Sequence, residues 1–219
     1  YESGFPNKKV EDWKFTDLNL ILNKNFESIS NDINYKLNKE LVTIKYFEHN
    51  YIFLNNGAMI STNFEHEEKS KILIKDYNQL ETKNVDPLNT LTLLNSALSS
   101  GGFSLEITKN YKLKKPLVVY NYFSEGLKNK ILNNKNSIKL NEGSELMLID
   151  YNEDNTQDNF IKNTIDIVSL DKNATLKNIL IQNSKCNGHF YKYIKSSLEG
   201  SSSYENYILS SGLKLNKIE

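Results

Sequence analysis

The sequence predicts a mainly β protein: a right-handed parallel β-helix preceded by a small mixed α/β cap. Three observations carry this prediction. A short pattern returns four times, as Ile107-Thr-Lys-Asn-Tyr-Lys-Leu113, Leu140-Asn-Glu-Gly-Ser-Glu-Leu146, Leu170-Asp-Lys-Asn-Ala-Thr-Leu176 and Leu198-Glu-Gly-Ser-Ser-Ser-Tyr204. Its first positions lie 33, 30 and 28 residues apart. Alternating apolar runs flank each copy, such as Ile138-Lys-Leu140, Ile165-Asp-Ile167 and Tyr191-Lys-Tyr193 before it, or Leu117-Val-Val-Tyr120 and Leu146-Met-Leu148 after it. A period of this size without helical spacing marks a stacked repeat. One unit cannot bury its own apolar face, so it lays its strands on the next unit about 4.8 Å away. Asn110, Gly143, Asn173 and Gly200 supply residues that accept a tight corner. A β-sandwich, with short strands every ~8–12 residues, is the competing architecture. The four corner segments contain no Asn-Gly or Asp-Gly pair, so they look more like coil turns than hairpins.

Taken in order, residues 1–100 read as the cap and residues 101–219 as the β-helix core. Gly4-Phe5-Pro6 predicts a turn, followed by an aromatic segment around Trp13 strapped onto a neighbouring surface, with Trp13 as its core anchor. Leu18, Leu20, Ile21 and Leu22 form a brief apolar element of either type. Residues 42–47, 51–54 and 58–61 read as strands, the last two joined by an Asn55-Asn56-Gly57 hairpin turn, and residues 71–75 as another. Asp86-Pro87 predicts a helix start, with Leu88, Leu91, Leu94 and Leu98 on one face and Ala97 beside them. Gly101-Gly102 predicts its end. Residues 121–136 and 151–163 read as the variable returns of the coil.

The 27 basic and 27 acidic residues cancel, and every basic residue is Lys. No guanidinium is therefore available for bidentate phosphate or carboxylate recognition. The neutral balance argues against nucleic acid as a partner. A single cysteine excludes an internal disulfide framework and suits a reducing, cytoplasmic setting. No apolar run approaches the ~20 residues that cross a bilayer, and no signal peptide is expected. The start at Tyr1 and a stop inside the strand-like Leu213-Lys-Leu-Asn-Lys-Ile218 predict a piece of a longer protein. Its open coil edge predicts aggregation when expressed alone.

Nucleotide-binding glycine loops and a G-x-S-x-G elbow are absent from the sequence. Cys186-Asn-Gly-His189 has the spacing of half a zinc or iron–sulfur site. Completion needs two more ligands, and His49 and His66 both lie in the other region. The motif therefore reads as a loop or core thiol and a satisfied histidine. The run Glu65-His66-Glu67-Glu68 reads as a solvated loop. Asp150, Glu153, Asp154 and Asp158 raise an enzymatic reading, because paired carboxylates on a β-helix can cleave polysaccharides. They share one Asn-rich return, and no Arg is present to meet a uronate. No catalytic, cofactor-binding or metal residue is assigned. The alternatives left open are a carbohydrate-active β-helix enzyme and a structural β-solenoid that polymerises.

The opening Gly4-Phe5-Pro6-Asn-Lys8-Lys9-Val-Glu11-Asp12-Trp13-Lys14-Phe15-Thr16 resembles the G-[LF]-P-x-[RK]-[RK]-x-E-[DN]-W-[KR]-[YF]-T signature of the SufB/SufD family, part of the SUF iron–sulfur cluster assembly machinery. Leu94-Asn95-Ser-Ala97 with Gly101-Gly102-Phe103 is similar to that family's L-N-x-A…G-[AG]-F junction. Lys114-Lys115-Pro116-Leu117 is similar to its [EK]-K-P-[IL], and His189-Phe190 to its H-F. The Glu-Asp-Trp-Lys opening and the single Cys186 lie nearer the SufD branch than the SufB branch. Departures are Phe15 where Tyr is commoner and Tyr191 where a second His often follows. The resemblance implies a non-catalytic scaffold that works with a SufB-like paralogue and a SufC-like ATPase. It implies that the docking regions for both lie beyond residue 219. Iron–sulfur cluster and ATP are implied only at the level of the complex, and the resemblance assigns no ligand to this chain.

Overall fold

Residues 5–25, 43–76, 90–154, 156–184 and 188–219 are described by a computed structural model. Twelve strands follow in chain order: β1 (Asn50–Asn55), β2 (Ala58–Asn63), β3 (Ile72–Asp76), β4 (Phe103–Ile107), β5 (Leu117–Phe123), β6 (Ile131–Leu140), β7 (Glu145–Asp154), β8 (Ile161–Leu170), β9 (Thr175–Ser184), β10 (His189–Leu198), β11 (Ser203–Gly212) and β12 (Leu215–Ile218). Helices α1 (Leu18–Asn25) and α2 (Thr90–Leu98) complete the described elements. The strands form two six-stranded sheets, ordered β11-β9-β7-β5-β1-β2 and β12-β10-β8-β6-β4-β3. Every neighbouring pair is parallel except the β1–β2 hairpin and β3 against β4. From β4 onward the chain steps between the sheets at each corner, giving a β-solenoid of about four turns. Both sheets extend into the cap, because β1 pairs with β5 and β3 with β4.

The predicted column is present. Ile107 pairs with Leu140, Leu140 with Leu170 and Leu170 with Leu198, one above the other. Across the corner Leu146, Leu176 and Tyr204 repeat this arrangement. All of these except Leu198 fill the corner half of the lumen with Ile138, Leu148 and Val168. Leu198, in the last turn, is half exposed.

Each corner is four residues closed by a backbone bond from its last N–H to its first carbonyl: Tyr111 to Thr108, Ser144 to Asn141, Ala174 to Asp171 and Ser202 to Glu199. The third residue takes positive φ at Asn110, Gly143, Asn173 and Ser201, with values of 59, 67, 60 and 60°. The sequence reading placed Gly200 in this role. Counting from the column leucines moves it one residue on, to Ser201. Corners also bond to one another, Asn110 N–H to Glu142 O, Gly143 N–H to Lys172 O and Asn173 N–H to Gly200 O. The ladder thus runs round the bend without interruption, and Lys109 reaches Glu142 in the next turn at 2.5 Å.

The opposite side absorbs the two-residue difference between the later intervals, whereas two of the three extra residues of the first lie just past the corner, between the Lys112–Glu145 and Leu117–Leu148 pairs. Returns 124–130, 155–160, 185–188 and 213–214 shorten steadily while the strands from β6 to β11 stay at ten residues each. The expected return at 121–136 is mostly β5 and β6, and that at 151–163 begins in β7 and ends in β8. Asn121, Asn133, Asn134, Asn136, Asn152 and Asn163 are buried in these strands on both faces, so no apolar alternation betrays them.

Within the expected strand at 42–47, residues 43–47 are irregular, and position 42 lies outside the described residues. Ile44 N–H bonds the Tyr120 hydroxyl at 2.8 Å instead of a neighbouring strand. The apolar run after Asp17 is helical, with Asp17 Oδ1 accepting from Leu20 N–H at 3.2 Å.

The strap and α2 cover the outer face of the second sheet. Trp13 packs there with Leu18, Leu22, Leu91, Ile131, Ile161 and Tyr191. Lys217 Nζ lies 4.9 Å from its ring centroid. The expected start of α2 at Asp86-Pro87 falls outside the described residues. Asn95, not Ala97, joins its buried side, and its Nδ2 donates to Asn134 O at 2.9 Å and Asn163 O at 2.8 Å. Gly101 and Gly102 do more than end the helix. Gly102 N–H bonds Gly57 O, and a Cβ on Gly101 would collide with that same backbone carbonyl. The cap hairpin and β4 can approach this closely only through glycine.

Candidate functional site

Side chains alternate along a strand, so Leu170 facing the lumen puts Val168, Asp166, Thr164 and Lys162 there too. In β7 the same rule turns Asp150 and Asn152 inward, and in β10 it turns Lys192 inward. The middle of the lumen is consequently charged. Lys192 Nζ lies 2.5 Å from Asp150 Oδ2 and 2.6 Å from Asp166 Oδ2, and the side chains involved are only 9–11% exposed. Asn121 Nδ2 donates to Asp150 Oδ1 at 2.7 Å, and Asn136 Nδ2 to Asp166 Oδ1 at 2.8 Å. Lys162 Nζ donates to Asn152 Oδ1 at 2.6 Å and lies 5.1 Å and 5.4 Å from the rings of Phe123 and Phe190. The corner leucines bound this band on one side, and Phe123, Leu127, Leu132, Phe160 and Phe190 bound it on the other.

The two buried lysines shift in opposite directions. Burial opposes the charge of Lys192, but Asp150 and Asp166 outweigh it and hold the ammonium above its ordinary value. Burial lowers Lys162 to about 8, because Asp150 compensates only in part and Lys192 adds repulsion. Burial would raise the Asp150 carboxyl, yet Lys192 and Lys162 prevail and leave it below the usual range. Two ammoniums and two carboxylates close a neutral set linking β7 of one sheet to β8 and β10 of the other. Any slip of one turn against the next would strand a charge in the lumen, so the cluster locks register.

Of the sequence candidates, Asp150 alone among the described residues belongs to this band. Cys186 lies outside the described residues. His189 is buried, its Nδ1 lacks a protein partner, and burial first, then Lys214, lowers its pKa. His49 bonds Phe47 O through Nδ1 at 2.9 Å, so its Nε2 accepts from the Tyr120 hydroxyl at 2.8 Å. His66 approaches Glu65 at 3.7 Å. Among the described residues no three His, Cys, Asp or Glu gather as a metal site.

The acids near 150–158 do not share a loop. Asp150 belongs to the lumen, Glu153 and Asp154 end β7, and Asp158 Oδ2 accepts from Leu127 N–H at 3.0 Å. The charged run at 65–68 is not wholly solvated either. Glu67 is buried and accepts from Asn50 Nδ2, the Tyr111 hydroxyl, Lys114 N–H and Lys115 N–H at 2.7–3.1 Å. Burial would raise its pKa, and these four donors bring it below the usual value. Sequence reasoning missed Lys162, Asp166 and Lys192. Carrying the alternation back from Leu170 and Leu198 would have found them.

Residues 1–119 match the family described as SufBD protein N-terminal region. Among curated proteins none matches the chain. No helix among the described residues is long and apolar enough to cross a membrane. The matched segment carries the tryptophan strap and the first rungs of the solenoid it covers. With over half of its 219 residues so matched, the chain belongs to the SufB/SufD family of iron–sulfur cluster assembly.

Proposed function

We propose that the chain is a SufD-type scaffold subunit, working in the cytoplasm with a SufB-like paralogue and a SufC-like ATPase. It catalyses no step itself; the iron–sulfur cluster is the cargo of the complex. The observation that carries the reading is the SufBD N-terminal match over residues 1–119 on a parallel β-solenoid. The Glu11-Asp12-Trp13-Lys14 opening supports the SufD branch over SufB. The lumen supports a structural role, because its charged groups are spent on one another.

Affinity purification of the tagged protein from its own cells tests this. The expected result is co-purification of an ABC-type ATPase and a second β-solenoid subunit. Partner-free protein that degrades an acidic polysaccharide, with the activity lost in Asp154→Asn, would overturn it. So would filaments formed by the isolated protein alone.

A further inference from the structure

The charged band contains groups that its own hydrogen bonds leave unfinished. A cavity of about 20 Å³ lies between the sheets, lined among others by Asn136, Thr164, Asn178, Lys162 and Lys192. Asn136 donates its Nδ2 to Asp166, and Asn178 donates its own to Asn206 at 2.9 Å. Their carbonyl oxygens, and the Thr164 hydroxyl, are buried and lack protein partners. These three residues are 8, 5 and 2% exposed and come from three strands, β6, β9 and β8. Burying such an atom without a partner costs about 1–3 kcal/mol, so three round one cavity call for a ligand.

The lining defines that ligand. Two amide oxygens require a donor with two protons, and a hydroxyl can give one bond in return. A cation would sit beside the Lys162 and Lys192 ammoniums. An anion would face two amide oxygens and the carboxylates of Asp150 and Asp166. A neutral molecule of one heavy atom has the two protons and the lone pair that the three groups call for, and it fits the volume, since a water needs only about 10–15 Å³ of such space. We propose that the lumen encloses a structural water, donating to Asn136 Oδ1 and Asn178 Oδ1 and accepting from the Thr164 hydroxyl. The water joins both sheets at the level of the charged band and completes a network that side chains alone leave open.

A crystal structure of the protein at about 1.5 Å or better tests the assignment. It should show a density peak about 2.7–3.1 Å from all three atoms. Oxygen-17 relaxation dispersion should also count one fewer long-lived water in Asn178→Leu than in the parent. No peak within reach of the three oxygens would overturn the proposal, as would a peak with the short contacts of a metal ion. An unchanged water count in a folded Asn178→Leu protein would do the same. If that variant does not fold, the parent's density decides alone.

Discussion

Along β8, Leu170 and Val168 face the corner half of the lumen, and Asp166, Thr164 and Lys162 face its middle. The five share one face of one strand, a single sheet register and near-complete burial. In the corner half each turn repeats the chemistry of the turn before, leucine upon leucine. In the middle, neighbouring turns carry different groups that complete one another. An apolar column tolerates displacement by one turn, since another leucine takes the vacated place. A charged cluster does not, because its lysines and carboxylates occur once. The column supplies cohesion, and the band supplies the address of each turn.

The largest effect should separate the two. Lys192→Met leaves Asp150 and Asp166 buried without their shared cation and should cost about 4 kcal/mol in urea unfolding. Replacing Asp150, Asp166, Lys162 and Lys192 together by apolar residues of similar volume should recover most of that loss. Leu170→Ala in the column should cost about 3 kcal/mol, and no partner substitution in the column should restore it. Equal, unrecoverable losses in both places would erase the distinction.

A second contrast lies in pH. Lys162 keeps its proton only up to about pH 8 in the folded chain, against about 10.5 when unfolded. Between those values the unfolded chain binds the extra proton, so stability should rise with pH by about 3 kcal/mol in total. Lys192, shifted upward, stays charged through this window. Lys162→Met should remove the rise, as read from urea midpoints at several pH values. A rise that survives the substitution would assign it to other groups.

The smallest effect concerns a corner. Ser201 holds φ 60° where the equivalent positions use Asn or Gly. Ser201→Asn should stabilise by about 0.5–1 kcal/mol, seen as a higher thermal midpoint.

The corner half was legible in the sequence because it is both periodic and apolar. Spacing of the leucines alone predicted that Ile107, Leu140, Leu170 and Leu198 would stack. The middle was illegible for the converse reason. Asn133, Asn134, Lys135 and Asn136 read as loop, although tertiary burial makes them strand. Asp150 was noticed for its charge but grouped with its neighbours in sequence, when its partner is Lys192 in another turn. The strap was recognisable as a motif, with its anchoring by Trp13 foreseen. The buried role of Glu67 was not, because all four of its donors come from elsewhere in the chain.

The seat of Trp13 has a consequence for how the molecule holds together. Stacked repeats touch only their nearest neighbours, so they tend to fray from either end and melt piecemeal. Here one indole shares a buried cluster with Ile131, Ile161 and Tyr191, which belong to three successive turns; its ring lies 5.9 Å from that of Tyr191, and Lys217 of β12 sits over its face. A contact joining residue 13 to residue 191 forms only after the intervening turns are in place. Such a contact adds coupling beyond nearest neighbours, which favours joint opening of the turns it spans.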